Sequence, residues 1–155
     1  MSTPTIEDIV AAQAAINTMI AALTAPAPQK KLLVIGEANI ELAPGELYVG
    51  AVLDADGLIS HHLILLPGEA EDVSWQDATA WAEKAGGTLP TRQEQALLYA
   101  NRKSEFASAW YWSSETHKAD GSYAWGQYFS TGGQLLTLKS FEGRARAVRL
   151  IPLKD

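Results

Sequence analysis

The chain has 155 residues, enough for one domain and a small appendage, and its 47% hydrophobic content argues against disorder. It contains no cysteine, which excludes disulfides, thiolate nucleophiles, thiolate metal sites and iron–sulfur clusters. The net charge of −6 divides into −9 over residues 1–91 and +3 over residues 92–155. Only Arg144, Arg146 and Arg149 hint at a basic stripe, so no nucleic-acid partner is expected.

Residues 5 to 24 read as one helix, with Thr3 or Thr5 as N-cap, Pro4 suited to a first helical position and Asp8 three residues after Thr5. Ile6, Ile9, Ile16, Ile20 and Leu23 recur at alternating three- and four-residue steps, and Gln13 fills the missing position. This is an a/d seam about three heptads long. A helix this short is marginal alone in water. Its seam therefore either docks on its own domain or forms a parallel bundle between copies, with Gln13 setting the register and a trimer favoured. No run approaches the roughly 18 apolar residues of a membrane span, and Met1-Ser2-Thr3-Pro4 has no basic region ahead of an apolar stretch. Neither membrane insertion nor a secretion signal is expected.

Residues 25–31 form a stiff linker around Pro26 and Pro28. Short strands are predicted at Leu32–Ile35 and Ile40–Leu42, then a hairpin from Leu47–Leu53 and Leu58–Leu66 about the turn Asp54-Ala55-Asp56-Gly57. Two helices follow. Ser74 caps the first, which Gly86-Gly87 ends; Thr91 caps the second, with Glu94 completing a capping box. Period two then returns in Trp110–Ser114, Ser122–Ser130, Leu135–Lys139 and Ala145–Ile151. Strands, two helices, then strands predict an α+β domain over residues 32–155, with two helices packed on antiparallel sheet, behind an N-terminal attachment helix over residues 1–24.

Eight of the thirteen aromatic residues fall between Phe106 and Phe129, as either a tight core or a recognition surface. Trp112 and Trp125 are expected in the core. His61 and His62 point to opposite faces of a strand and His117 stands alone, too few nitrogen ligands for a metal. Asp54 and Asp56 lack the remaining ligands of a calcium loop. Ser113 and Ser114 have no nucleophile elbow and no placed base, and are expected to fasten backbone. Glu94 is expected to cap its helix and Arg92 to find a carboxylate partner. Arg144 and Arg146 should share one face of the last strand with Arg149 on the other, and a buried arginine there should need an acidic partner. No catalytic residue, metal or cofactor is expected.

The runs Gly87-Thr88-Leu89-Pro90-Thr91-Arg92-Gln93-Glu94, Trp110-Tyr111-Trp112-Ser113-Ser114, Ala124-Trp125 and Arg144-Ala145-Arg146-Ala147-Val148-Arg149 resemble the ordered motifs of the Lcl C-terminal-domain-like family over roughly residues 48–150. The resemblance implies a C-type-lectin-like fold, as found in bacterial surface proteins and bacteriophage structural and receptor-binding proteins. It further implies a ligand face on the late strands at Tyr123, Gln127, Tyr128, Ser130, Thr131, Gln134 and Leu136, for a host-surface protein or glycan. The chain lacks the Glu-Pro-Asn, Gln-Pro-Asp and Trp-Asn-Asp runs of calcium-dependent lectins and the cysteines of sulfatase-modifying enzymes. The expected function is a non-catalytic virion module, a tail fibre or surface decoration, joined to its own copies or to other virion proteins. A bacterial cell surface or cytoplasm is the other location. The alternatives are a particle-cementing scaffold without a separate ligand and a small hydrolase using Glu94 or Glu115.

Overall fold

The computed structural model describes residues 2–27, 30 and 32–153. The chain divides into two units, residues 1–39 and 40–155. In the first, α1 spans Ile6–Thr24. Of the two candidate caps, Thr5 is the one used: its Oγ1 accepts the Asp8 N–H at 3.2 Å, and Asp8 Oδ2 accepts the Thr5 N–H at 2.8 Å. No residue of α1 is buried. Ile6, Ile9, Ile16, Ile20 and Leu23 are all exposed, and Gln13 donates its side-chain amide to Asn17 Oδ1 at 3.0 Å along the same helix.

Contrary to the sequence expectation, α1 is long and apolar enough to cross a membrane by length and composition, with a mean hydropathy of 1.3. Its 19 residues extend roughly 28 Å, close to a hydrocarbon core. The seam count misses this because the alanines between the isoleucines add hydropathy without adding to a stripe. Of the expected linker, residues 28, 29 and 31 lie outside the described residues. Leu32–Ile35 and Ile40–Leu42 are not strands. They have the composition of one, but none pairs with another segment, and a strand exists only through its ladder.

The second unit holds β1 (Leu47–Leu53), β2 (Ile59–Leu65), β3 (Ala70–Val73), α2 (Trp75–Lys84), α3 (Arg92–Arg102), β4 (Trp110–Thr116), β5 (Tyr123–Tyr128), β6 (Gln134–Leu138), β7 (Gly143–Ala145) and β8 (Val148–Pro152). With α1, the described residues form an α+β arrangement of three α-helices and two sheets, ordered β1-β2-β8 and β3-β7-β4-β5-β6. The hairpin forms as expected. Asp54 Oδ1 accepts the N–H groups of Asp56 and Leu58, and Gly57 takes φ 77°. Ser74 and Thr91 cap α2 and α3 as read from sequence, the latter with Glu94 in a capping box.

The expected single strand Ala145–Ile151 is instead β7 and β8, in different sheets. The chain crosses between them at Arg146 and Ala147, where Ala147 O accepts the Leu66 N–H at 2.9 Å. The crossing breaks the face alternation assumed for the arginines. Arg144 reaches Glu69 and Glu71, and Arg149 reaches Glu46. Among the described residues, Arg146, 9% exposed, has no acidic partner. It donates to Glu105 O at 2.6 Å and Leu66 O at 3.0 Å and lies over the Phe106 ring, because carbonyl oxygens and a ring face also accommodate a guanidinium.

Two apolar clusters make the core. One joins Leu66, Leu89, Trp110 and Trp112 to Ala78 and Ala82 of α2, whose small side chains let the helix approach. The other joins Leu63, Leu65, Leu98, Tyr111, Phe129 and Val148. Burial of Tyr111 pushes its phenol up to about 12, and the hydroxyl donates to Glu69 at 2.8 Å. At Gly87, just past α2, an added Cβ would stand 2.2 Å from Val148 O. Gly87→Ala is therefore expected to force β8 outward and lower unfolding free energy by about 1–3 kcal/mol, read by chemical denaturation. An unchanged midpoint would refute this packing.

Candidate functional site

The late strands build the candidate surface by simple alternation. In β5, Tyr123, Trp125 and Gln127 share one face, and Ala124, Gly126 and Tyr128 the other. Gly126 has no room for a side chain, since a Cβ would stand 2.4 Å from the Trp110 ring. Register places Leu138, Leu136 and Gln134 of β6 beside Tyr123, Trp125 and Gln127. Four of the sequence-predicted ligand residues (Tyr123, Gln127, Gln134 and Leu136) thus lie on one face. Tyr128, 40% exposed, is on the opposite face, and Ser130 and Thr131 are exposed at the hairpin turn.

They differ in what they can offer a ligand. Gln127 is 1% exposed and bonded internally: its Nε2 donates to Gln95 O at 3.3 Å, and its Oε1 accepts from Gln134 Nε2 at 2.8 Å. Gln134 Nε2 also donates to Arg92 O at 2.7 Å, and its Oε1 accepts from Arg92 Nε at 3.1 Å. These two amides hold the sheet to α3. Arg92 has this amide and the face of Trp125, 3.5 Å from its guanidinium carbon, where a carboxylate partner was expected. The ring and the amide present a flat site that a planar guanidinium fits. Trp125 is correspondingly half-buried beneath Arg92, not in the core with Trp112.

Tyr123 and Leu136 remain available. With His117 and Asp120 they line an open depression of about 260 Å³. His117 Nδ1 accepts the Asp120 N–H at 2.9 Å, which in the neutral ring leaves the proton on Nε2 as a donor. Asp120 Oδ1 accepts the Ser122 N–H at 2.9 Å, and the backbone and side-chain hydrogen bonds of Ser122 hold its carboxyl below the usual range. A donor, an ionised acceptor, an aromatic ring and an apolar wall therefore meet in one place. Sequence reading missed His117 and Asp120 because it weighed the first only as a metal ligand and the second only as a turn former. The spacing His117-x-x-Asp120-Gly121 was the available signal, that of a side chain folding back on a tight turn.

The other candidates are committed to internal bonds. Glu94, 2% exposed, accepts the Thr91 N–H at 2.9 Å through Oε2 and faces His61 Nε2 at 2.9 Å through Oε1. Glu115 accepts the Arg92 N–H at 2.6 Å. His62 Nδ1 meets the Tyr48 hydroxyl at 2.9 Å, and buried Ser113 accepts the Glu115 N–H at 3.1 Å. Among the described residues no group of three His, Asp or Glu side chains could hold a metal ion. Compared with known proteins, the chain matches no family model and no curated protein.

Two outcomes are expected. Arg92→Lys keeps the charge but loses the planar stack and the Nε bond, costing about 1 kcal/mol of stability with a shift in tryptophan emission; unchanged emission and stability would show that the stack does not hold α3 to the sheet. The carboxyl of Asp120 should titrate below the unfolded value of about 3.9 when followed by NMR. A folded value below the unfolded one stabilises the fold above about pH 4, and that contribution is lost as pH falls through the folded value. Ser122→Pro, which removes the N–H donor, should bring the titration back toward the ordinary range.

Proposed function

We propose that the chain is a non-catalytic binding and structural module of a virion, with a C-type-lectin-like second unit that presents the β5–β6 face to a host-surface protein or glycan. The observation that carries this reading is the half-open depression of Tyr123, Leu136, His117 and Asp120. It combines an aromatic contact with one hydrogen-bond donor and one charged acceptor, the composition of a recognition surface. The fold reading draws support from two helices packed with two sheets and from the last strand returning beside the first hairpin. Against the hydrolase alternative, the carboxylates of Glu94 and Glu115 are both engaged in bonds that hold α3. The cementing scaffold remains the second reading and differs in needing no depression.

The α1 seam supplies assembly in this proposal, as a short trimeric bundle of the exposed isoleucines with Gln13 in the seam. A membrane span is the competing role for the same helix. Glu7 and Asp8 in its first turn and the Gln13–Asn17 pair at mid-helix favour the bundle, since these groups are costly in hydrocarbon.

In light scattering, the intact chain is expected to have a mass that is a multiple of three chains, and Ile9→Asp combined with Ile16→Asp to lose that threefold factor. Equal masses, or flotation of the intact chain with phosphatidylcholine vesicles, would overturn the bundle. Binding to host cells or a glycan array should fall tenfold or more in Tyr123→Ala and Asp120→Ala, while Ser60→Ala, outside this face, binds as the parent does. Undiminished binding by both site variants would move the ligand elsewhere, and no binding by the parent would favour the scaffold.

A further inference from the structure

The two sheets have four edges, and three of them are closed. On β1, the carbonyls of Tyr48, Val49 and Leu53 accept from Arg102, Asn101 and Gln93 of α3. On β8, Val148 is bridged in both directions to Thr88, and Pro152 has no N–H to give. On β3, Glu71 and Asp72 are charged, and Asp72 sits at φ 51°, which bends the strand out of register. These are common protections against edge-to-edge pairing. The fourth edge, β6, has none of them. Gln134–Leu138 contains no charge and no proline, and its register with β5 is unbroken.

The free groups on that edge follow from the ladder. Tyr128 N–H donates to Gly133 O and Lys139 N–H to Ser122 O, so the odd-numbered residues of β6 bond inward to β5. The N–H and C=O groups of Gln134 and Leu136, and the N–H of Leu138, point outward. Among the described residues, none of these five groups has a hydrogen-bond partner. Leu135 and Leu138 flank the edge at 55% and 48% exposure, one on each face.

We propose that β6 pairs antiparallel with β6 of a second copy, about a two-fold axis at Leu136. The edge is self-complementary in that register. Leu136 meets its own image as a hydrogen-bonded pair, Gln134 meets Leu138, Leu135 meets Thr137, and Lys139 meets Gly133, so no charge faces a like charge. A two-fold axis normal to the sheet keeps both depressions on one side of a continuous ten-stranded sheet, where they engage a surface together. This pairing is independent of the α1 bundle.

The absence of native cysteine makes the test direct. In the full chain, Leu136→Cys places two sulfurs at the axis, with Cα atoms about 5.5 Å apart, within disulfide range. Mild oxidation is expected to give a band of twice the chain mass on a non-reducing denaturing gel, also with Ile9→Asp and Ile16→Asp present. Ser130→Cys, which sits in the turn before β6 and whose image lies roughly 30 Å away in this register, should not crosslink at the same concentration. Crosslinking of Leu136→Cys no faster than Ser130→Cys would overturn the pairing. As a second readout, the α1 double variant should scatter as a dimer, and adding Leu136→Lys should make it monomeric. A monomeric double variant refutes the β6 pairing and leaves the α1 reading intact; an unaltered threefold mass in that variant refutes the α1 reading alone.

Discussion

The second unit depends on the first turn of α3, which ties its two sheets together. Toward β1-β2-β8, Glu94 meets His61 and Gln93 reaches Leu53 O. Toward the five-stranded sheet, Gln95 donates to Tyr111 O, Arg92 lies on Trp125 and grips Gln134, and Glu115 returns to the Arg92 N–H. At the start of the same turn the N–H groups of Glu94, Thr91 and Arg92 are accepted by Thr91 Oγ1, Glu94 Oε2 and Glu115 Oε2. One buried acceptor, Gln95 Oε1, is left without a partner. Its cost is small beside the number of bonds converging on these few residues.

That arrangement explains why the candidate ligand face is half closed. The amides of Gln127 and Gln134, which by position belong to it, are taken up in bonding α3 to the sheet. What remains open lies toward the other end of β5, where the turn from His117 to Ser122 folds over Tyr123 and Leu136. The rigidity of this corner is local, because His117, Asp120 and Ser122 are joined by hydrogen bonds from backbone N–H groups to side chains, which do not involve the core. A ligand bound there, as proposed, would meet groups already oriented, which lowers the entropic cost of binding. The β6 edge borders the same face, so the proposed assembly and the proposed recognition would draw on neighbouring residues.

Some of this was legible in the residues. The capping box of α3, the Ser74 cap, the Asp54–Gly57 turn and the division of His61 from His62 each follow from contacts a few residues apart, while the start of α1 was narrowed to Thr3 or Thr5. The strand β3 was not legible, since Ala70-Glu71-Asp72-Val73 has no alternation and exists only because β7 lies beside it. Leu32–Ile35 is the reverse case, a strand-like run without a neighbour. Likewise the partners of Arg92 and Arg146 proved to be an amide, carbonyls and aromatic rings. Partners of that kind leave no acidic residue in the sequence to point to the guanidinium, and among the described residues Arg146 Nε stays buried without a hydrogen-bond partner.

By itself, then, the sequence determined the helices, their caps, the turns and the α+β order, because those depend on backbone torsions and hydrogen bonds that span three or four residues. Only the tertiary structure decided that one apparent strand is two, which glutamines are sequestered, and where His117 meets Tyr123. Those outcomes turn on which segments become neighbours across dozens of residues. That neighbourhood is set by the packing of two sheets around one helix turn, and local periodicity carries no record of it.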